Sequence, residues 1–192
     1  MSALKILVIP GSLRTGSLNA RLAATIAAEL AVAGADVTRI SLADFPLPLY
    51  DGDLQAKSGI PKSAINFKRM MSAHQGVLIV TPEHNSSVPA LLKNAIDWVS
   101  RVHELHEVRG QVFRDRAFAI AAASGNRLGG TRALAALRLI LSACQAPVIP
   151  SQLALSFANE AYDDMDRLKH PADIEALKAL VRQLIEFSQR MM

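Results

Sequence analysis

The chain has 192 residues, of which 51% are hydrophobic and 20% charged, and this composition is typical of a folded globular protein. The 21 basic and 17 acidic residues give a net charge of +4, and the lack of a dense Lys/Arg run with interleaved aromatics argues against a nucleic-acid partner. A lone cysteine, Cys144, excludes an internal disulfide, and no apolar run reaches the roughly 20 residues of a membrane-spanning helix. We expect a cytoplasmic protein that has no membrane partner and forms one domain over residues 1–192.

Five short, mostly apolar runs alternate with helical patterns along the chain and are predicted to be β-strands. They cover Leu4–Ile9, Asp36–Ser41, Gly76–Thr81, Phe118–Ala123 and Pro147–Pro150. Apolar residues at helical spacing predict a helix from Leu18 that ends before Gly34, and further helices over Lys62–Ser72, Ala90–Val99, Thr131–Ala143 and Pro171–Met191. Prolines mark Phe45–Asp53 as a loop.

This alternation predicts a parallel sheet with helices on both faces. Ligands of such sheets bind beyond the carboxyl ends of the strands. Polar loops follow the first, third and fourth predicted strands, at Gly11–Asn19, Pro82–Pro89 and Ser124–Gly130. We therefore expect these loops to meet at one end of the sheet and to form the functional site there.

The first loop, GSLRTGSLN, is rich in groups that bind phosphate. Its hydroxyl donors are Ser12, Thr15 and Ser17. Arg14 adds a positive charge, and Asn19 opens a helix whose N-terminus attracts anions. A plain helix cap is the alternative, because Ser, Thr and Asn are common at caps without any ligand. So many donors in so few positions favour a phosphate site.

The kind of phosphate follows from residues that the loop lacks. Gly11 and Gly16 have the spacing of a triphosphate-binding loop, but Ser17 stands where that loop has lysine. Leu13 stands where the dinucleotide fingerprint has its second glycine. A cradle of hydroxyls and backbone amides is suited to a monophosphate ester such as that of FMN.

The other two loops are less specific. Backbone amides in PEHNSSVP are suited to the acceptor-rich edge of a flavin ring, and an ordinary turn between strand and helix is the alternative. Gly129 and Gly130 allow a close approach in the third loop, and the alternative there is a glycine turn followed by a helix cap at Thr131. The HELHE segment, His103–Glu107, lacks the second histidine of the zinc motif HExxH, so no metal site is predicted.

Three segments in this order, GSLRTGSLN, PEHNSSVPALLKNAIDW and GGTRALAALR, make the chain similar to the NADPH-dependent FMN reductase family over about residues 4–155. The resemblance implies an α/β, flavodoxin-like three-layer sandwich with a five-stranded parallel sheet in the order 2-1-3-4-5. It implies FMN as cofactor and NADPH, or NADH, as hydride donor. The implied acceptor is a quinone, chromate, an azo compound or free flavin.

The resemblance also implies site residues. The FMN phosphate is expected against Ser12, Arg14, Ser17, Leu18 and Asn19, by side chain or backbone. The flavin ring is expected against Pro82, Glu83, His84, Asn85 and Ser86, with Ser124, Gly125 and Gly129 closing the far side. No side chain is expected to be catalytic, since the flavin carries the chemistry. The helix Ala90–Val99 is expected at the interface of a homodimer or homotetramer.

Two departures from the family pattern concern the site. His84 stands where the family has tyrosine, and it brings a smaller, titratable ring. Asn126 stands where the family has glycine, and asparagine is the residue that best replaces glycine at positive φ, so the turn is expected to persist. Either Arg14 or the segment Arg101–Arg116 is expected to contact the extra phosphate of NADPH.

Two other function classes remain open at this stage. A flavodoxin-like electron carrier would bind flavin without accepting hydride from NADPH, but long-chain carriers tend to be acidic, and the net charge of +4 argues against one. A nucleotide-binding hydrolase or transferase would bind no flavin at all.

Overall fold

The five strands form one sheet in the order β2-β1-β3-β4-β5 in the computed structural model, which describes residues 3–103, 107–108 and 110–192. They are β1 (Lys5–Pro10), β2 (Asp36–Arg39), β3 (Gly76–Val80), β4 (Ala117–Ala123) and β5 (Val148–Leu155). Every neighbouring pair is parallel. The predicted flavodoxin-like topology is therefore confirmed, with its change of direction between β1 and β3.

Helices connect and cover these strands. They are α1 (Leu18–Val32), α2 (Gly52–Ser58), α3 (Lys62–Ser72), α4 (Ala90–Val99), α5 (Gln111–Arg114), α6 (Thr131–Ala143) and α7 (Pro171–Arg190). The predicted bounds of α3, α4 and α6 are confirmed to the residue. Among the described residues, no helix is long and apolar enough to cross a membrane.

Two boundaries predicted from prolines were wrong, at the end of the loop before α2 and at the end of β5. Phe45–Asp53 is not a loop throughout, because Asp51 caps α2 by accepting a hydrogen bond from the Asp53 amide at 2.7 Å. β5 continues to Leu155 because Pro150 lies at an irregularity of an edge strand, where a missing N–H group costs no sheet hydrogen bond. The pairing with β4 jumps there from Phe118–Val148 to Ile120–Gln152.

The core lies on both faces of the sheet. One apolar cluster joins α1 and α7 to the sheet, and a second joins α3, α4 and α6 to the opposite face. All residues of β3 and β4 are buried. Each fully buried Leu or Ile contributes about 1.5–3 kcal/mol by leaving water, so the central strands are a firm support for the loops at their carboxyl ends.

Several side chains outside the site have structural roles. Trp98 is fully buried in the core and donates from Nε1 to the Pro48 carbonyl at 2.8 Å. Lys93 and Asp97 form an ion pair along α4 at 2.7 Å. Cys144 is partly buried at the end of α6, and burial raises the pKa of its thiol.

Candidate functional site

A cavity of about 530 Å³ opens at the carboxyl ends of β1, β3 and β4. Three connections form its walls: loop 1 (residues 11–17), loop 2 (residues 81–89) and loop 3 (residues 124–130), together with the first residues of α1 and α4. The lining residues are Gly11, Ser12, Leu13, Arg14, Ser17, Leu18, Asn19, Pro82, Glu83, His84, Pro89, Ala90, Leu91, Ala123, Ser124 and Gly125. The predicted convergence of the loops is confirmed.

A larger cavity of about 750 Å³ lies elsewhere, between α1, α7 and the segment before α7. Its lining includes no residue of loops 1, 2 or 3 and no helix N-terminus from α1, α4 or α6. We take the smaller cavity as the functional site because it lies where a doubly wound sheet binds its ligands.

Loop 1 places the N-terminus of α1, with its free backbone N–H groups, at the cavity. Gly16 turns the chain with φ 67°, and the Ser17 hydroxyl caps the helix by accepting from the Ala20 amide at 3.3 Å. Within the described residues, the amides of Leu18 and Asn19 have no acceptor. The cap and the phosphate interpretation are therefore compatible, because the capping bond uses Ser17 as an acceptor and leaves its proton free to donate.

Arg14 brings an unpaired positive charge to the same wall. Its guanidinium makes one long contact, from Nη2 to the Gly16 carbonyl at 3.4 Å, and none of the described carboxylates pairs with it. The Ser12 hydroxyl accepts from the Arg14 amide at 3.3 Å and so fixes the backbone of the turn. The side chain of Arg14 is free to bind an anion.

The side chain of Asn19 is already used inside the protein. Its amide donates to the Ala123 carbonyl at 2.9 Å and accepts from the Ala123 amide at 2.8 Å. Asn19 is buried, and both bonds tie the first turn of α1 to the end of β4. Only the backbone N–H of Asn19 is left for a ligand.

Loop 2 contains a tight hairpin. The His84 amide donates to the Ser87 carbonyl at 2.9 Å, and the Ser87 amide donates back to the His84 carbonyl at 3.0 Å. Asn85 and Ser86 form the turn with φ of 49° and 65°, in the left-handed region. The hairpin places Asn85 and Ser86 outside the cavity lining, whereas His84 lies in it with an exposed imidazole.

Glu83 fastens loop 2 to α6. Arg132 donates to Glu83 Oε1 from Nη2, and from Nε at 2.7 Å, and the Ala133 amide reaches Oε2 at 3.4 Å. The hydrogen bond from Arg132 is the main reason why the pKa of the Glu83 carboxyl is lowered. The side chain of Glu83 is only 7% exposed, and the guanidinium of Arg132 balances its charge.

Loop 3 contributes Ser124 and Gly125 to the cavity, but Gly129 lies away from its lining. At Gly129, φ is 60° and a Cβ atom would lie 2.8 Å from the Ala154 carbonyl oxygen, so this glycine lets the loop pack on β5. The turn at Asn126 persists by a different means than expected. Asn126 has no positive φ, and its side chain accepts from the Leu128 amide at 2.9 Å instead.

Sequence reasoning missed several parts of this site. The cavity residues that were not predicted to contact the cofactor are Gly11, Leu13, Pro89, Ala90, Leu91 and Ala123. Gly11, Leu13 and Pro89 lie inside the predicted loops, and the other three lie directly beside them. Gly11 has a packing signal as well, since a Cβ atom there would lie 3.3 Å from Leu92 Cδ2.

The described part of the chain contains no group of three His, Cys, Asp or Glu side chains that could hold a metal ion. The HELHE motif falls partly on residues 104–106, outside the described residues.

The donor set of the cavity fits FMN. Hydroxyls, the Arg14 guanidinium and the amides at the start of α1 suit a phosphate monoester. The first residues of α1 and α4 line the cavity, and neither helix has an acidic residue in its first turn that would offset the positive end of its dipole. Pro82, Pro89 and Leu91 add apolar surface for a flat ring. Fold and site together define a flavodoxin-like, flavin-binding class of protein.

Comparisons with known proteins identify the family within that class. The family model for NADPH-dependent FMN reductase matches residues 4–160. A quinone reductase of Escherichia coli (strain K12) is 38% identical over 147 residues, 76% of this chain and 73% of its own. An NAD(P)H-dependent FMN reductase of Pseudomonas aeruginosa is 37% identical over 183 residues, 94% of this chain and 91% of its own.

A solved structure agrees with these matches. The flavoenzyme NAD(P)H:(acceptor) oxidoreductase FerB from Paracoccus denitrificans superposes with a TM-score of 0.80 at 26% identity, covering 98% of this chain and 99% of that one. The chain belongs to the NADPH-dependent FMN reductase family. It is therefore an NAD(P)H-dependent flavin oxidoreductase, and the resemblance drawn from the three sequence segments is confirmed.

Proposed function

We propose that the protein binds FMN in the 530 Å³ cavity as one domain over residues 1–192 and passes electrons from NAD(P)H to a quinone-like acceptor. One observation carries this proposal: three polar loops, the free N-terminus of α1 and the unpaired Arg14 lie together at one end of the sheet. The name of the Escherichia coli relative, quinone reductase, supports the acceptor class.

The residues of loop 1 would hold the phosphate. Ser12 and Ser17 donate from hydroxyls, Leu18 and Asn19 donate from backbone amides, and Arg14 supplies a charge-assisted bond. Two of these groups sit at the N-terminus of α1, where the helix dipole favours an anion. This arrangement needs no lysine of the kind that a triphosphate-binding loop uses.

The residues of loops 2 and 3 would border the ring. Pro82 and His84 of loop 2 and Ser124 and Gly125 of loop 3 all line the cavity. Glu83 acts through its bonds to α6, which hold loop 2 in place beside loop 3. Asn85, Ser86 and Gly129 are omitted from the proposed binding set because they lie outside the cavity lining.

FMN, when bound, supplies the hydride acceptance and the electron transfer that amino-acid side chains cannot provide. The chain binds and orients it and presents an open cavity mouth to the nicotinamide and the acceptor. Positive potential from α1 and α4 also favours negative charge on a bound ligand.

We also propose a homodimer or homotetramer with α4 at the interface. Leu13 and Leu91, which are 50% and 36% exposed, border an apolar groove of about 240 Å³ beside α4. Leu49, in the segment before α2, is 78% exposed. Sedimentation velocity on the flavin-loaded protein is expected to give a dimer or tetramer, and a monomer at micromolar concentration would contradict this part of the proposal.

Anaerobic addition of NADPH to the FMN-reconstituted protein tests the main proposal. We expect the flavin absorbance to bleach and to return when p-benzoquinone is added, with one quinone consumed per flavin. A flavin that binds but does not bleach would indicate an electron carrier. A protein that retains no flavin after incubation with saturating FMN and removal of the free cofactor would indicate a nucleotide-binding hydrolase or transferase.

A further inference from the structure

We infer that His84 is a catalytic residue whose imidazole delivers a proton to the oxygen of the quinone-like acceptor. This inference rests on the proposed function, since it concerns how that acceptor is reduced. It goes beyond the family resemblance, in which no side chain is expected to act as an acid.

The first support is the position of His84. Its side chain is exposed and lines the cavity, and within the described residues the imidazole has no hydrogen-bond partner. The backbone around it is fixed by the two hydrogen bonds between His84 and Ser87, at 2.9 and 3.0 Å. The ring is therefore held at the cavity by a rigid hairpin while both of its nitrogens remain available.

The second support is the state of the other ionisable groups that face the cavity. Glu83 on the same loop is bound to Arg132 and to the Ala133 amide of α6, so its carboxylate is already occupied. Arg14 on loop 1 lines the cavity, and Arg132 on α6 reaches the site only through Glu83; both are guanidinium groups, which do not release protons in proteins. Serine hydroxyls are far weaker acids than an imidazolium. Imidazole is the side chain that ordinarily exchanges protons between pH 5 and 8.

The third support is the balance of the reaction. A quinone, NAD(P)H and one proton give a hydroquinone and NAD(P)⁺, so the hydride from NAD(P)H leaves one proton to be supplied. In the inferred step, the N–H bond of the His84 imidazolium breaks as an O–H bond forms on an acceptor oxygen. The neutral imidazole then takes a proton from solvent through the open mouth of the cavity. A proton donor placed at the acceptor accelerates such a step.

The test separates acceptors that need a proton from those that do not. Flavin-saturated enzyme is reduced with NADPH in a stopped-flow instrument, and its reoxidation is followed with p-benzoquinone or with ferricyanide, which takes an electron and no proton. In His84→Phe we expect reoxidation by p-benzoquinone to slow on the order of 100-fold. Reoxidation by ferricyanide and reduction by NADPH are expected to change less than about twofold.

His170→Phe is the matched control, since His170 is an exposed histidine before α7 and does not line the cavity. It is expected to match the wild type with both acceptors. In His84→Ala, added imidazole is expected to restore part of the rate with p-benzoquinone and to leave the ferricyanide rate unchanged.

Unchanged reoxidation of His84→Phe by p-benzoquinone would overturn the inference and leave the proposed function standing. Equal slowing with both acceptors would also overturn it, since that result indicates a disturbed cavity. A wild-type enzyme that bleaches with NADPH and is not reoxidised by p-benzoquinone would overturn the proposed acceptor class and the role of His84 together.

Discussion

Asn19 and Ala123 hold each other by two hydrogen bonds, at 2.9 and 2.8 Å, across 104 positions of sequence. The Asn19 side chain satisfies the backbone N–H and C=O groups of Ala123 at the end of β4. These bonds hold the start of α1 against the end of β4. Loop 1 ends and loop 3 begins at this point. The cavity is therefore shaped by the protein itself before any ligand arrives.

Asn19→Ala is expected to lower the free energy of unfolding by about 2–3 kcal/mol, because the buried amide and carbonyl of Ala123 lose their partners. Guanidinium chloride denaturation of the flavin-free protein measures this change. Gln189→Ala, at an exposed position of α7, is the control and is expected to stay within about 0.5 kcal/mol of the wild type. A loss at Asn19 as small as that of the control would show that the pair is not a stabilising element.

Arg14→Ala is expected to weaken FMN binding by about 1.5 kcal/mol, or roughly tenfold in Kd. The lower end of the range for a charged hydrogen bond applies because Arg14 is exposed. Fluorescence titration with FMN and with riboflavin measures the effect, and riboflavin, which has no phosphate, should bind both forms equally. Arg21→Ala is the control, since Arg21 pairs with Asp166 outside the cavity. Equal losses for FMN and riboflavin would place the phosphate away from Arg14.

Ser17→Ala is expected to have two separate effects. Loss of the cap on α1 costs about 1 kcal/mol of stability, and loss of one neutral phosphate donor weakens FMN binding less than Arg14→Ala does. Thermal unfolding of the flavin-free form and FMN titration measure the two effects independently. A Ser17 variant that binds FMN more weakly than the Arg14 variant would reverse the proposed order of the donors.

The ion pair of Glu83 and Arg132 predicts a dependence of stability on pH. Arg132 lowers the pKa of the Glu83 carboxyl in the folded state, so the pair stabilises the fold above the carboxyl pKa of the unfolded chain. This contribution is lost as the pH falls through the lowered folded-state pKa. We therefore expect the difference in Tm between wild type and Glu83→Gln to shrink as the pH falls from 6 to below 4.5, the ordinary pKa of a glutamate carboxyl.

Thermal unfolding of both proteins across this pH range measures the Glu83 effect. Glu186→Gln, which removes an exposed carboxylate on α7, is the control and should show a smaller and flatter difference. A wild-type advantage over Glu83→Gln that grows toward low pH would contradict the assignment.

The hairpin of loop 2 predicts a stabilising substitution. Ser86 has φ 65°, where a residue with a Cβ atom is strained by about 1–2 kcal/mol and glycine is not. Part of this gain is offset by the greater freedom of glycine in the unfolded chain, so Ser86→Gly is expected to raise the Tm by about 2 °C. A lower Tm would indicate that the hydroxyl of Ser86 stabilises the turn.

The sequence predicted the site because its main determinant is local. A polar loop after a buried strand needs only the strand and helix periodicities around it, and parallel pairing then brings such loops together. The continuation of β5 was missed because a proline usually ends a strand, and only the pairing with β4 shows that Pro150 lies at an irregularity of the sheet edge.

The side-chain contacts that hold the loops in place could not be predicted from the sequence. Glu83 and Arg132 are 49 positions apart, and Asn19 and Ala123 are separated by more than twice that distance. Each residue has an ordinary local role by itself, as part of a turn, a helix end or a strand. Their pairing depends on the crossing of elements in space, for which a single sequence carries no periodic signal.

The open first turns of α1 and α4 give the cavity a source of attraction that mutation can hardly remove. This field comes from peptide groups, which every residue carries and which have no proton to lose in the physiological range. Substitutions of side chains at the cavity mouth would thus change the affinity for an anionic ligand by limited amounts. The attraction from the helix ends would remain at any pH at which the protein stays folded. The attraction of this end of the sheet for anions therefore depends on the backbone of the fold more than on any one side chain.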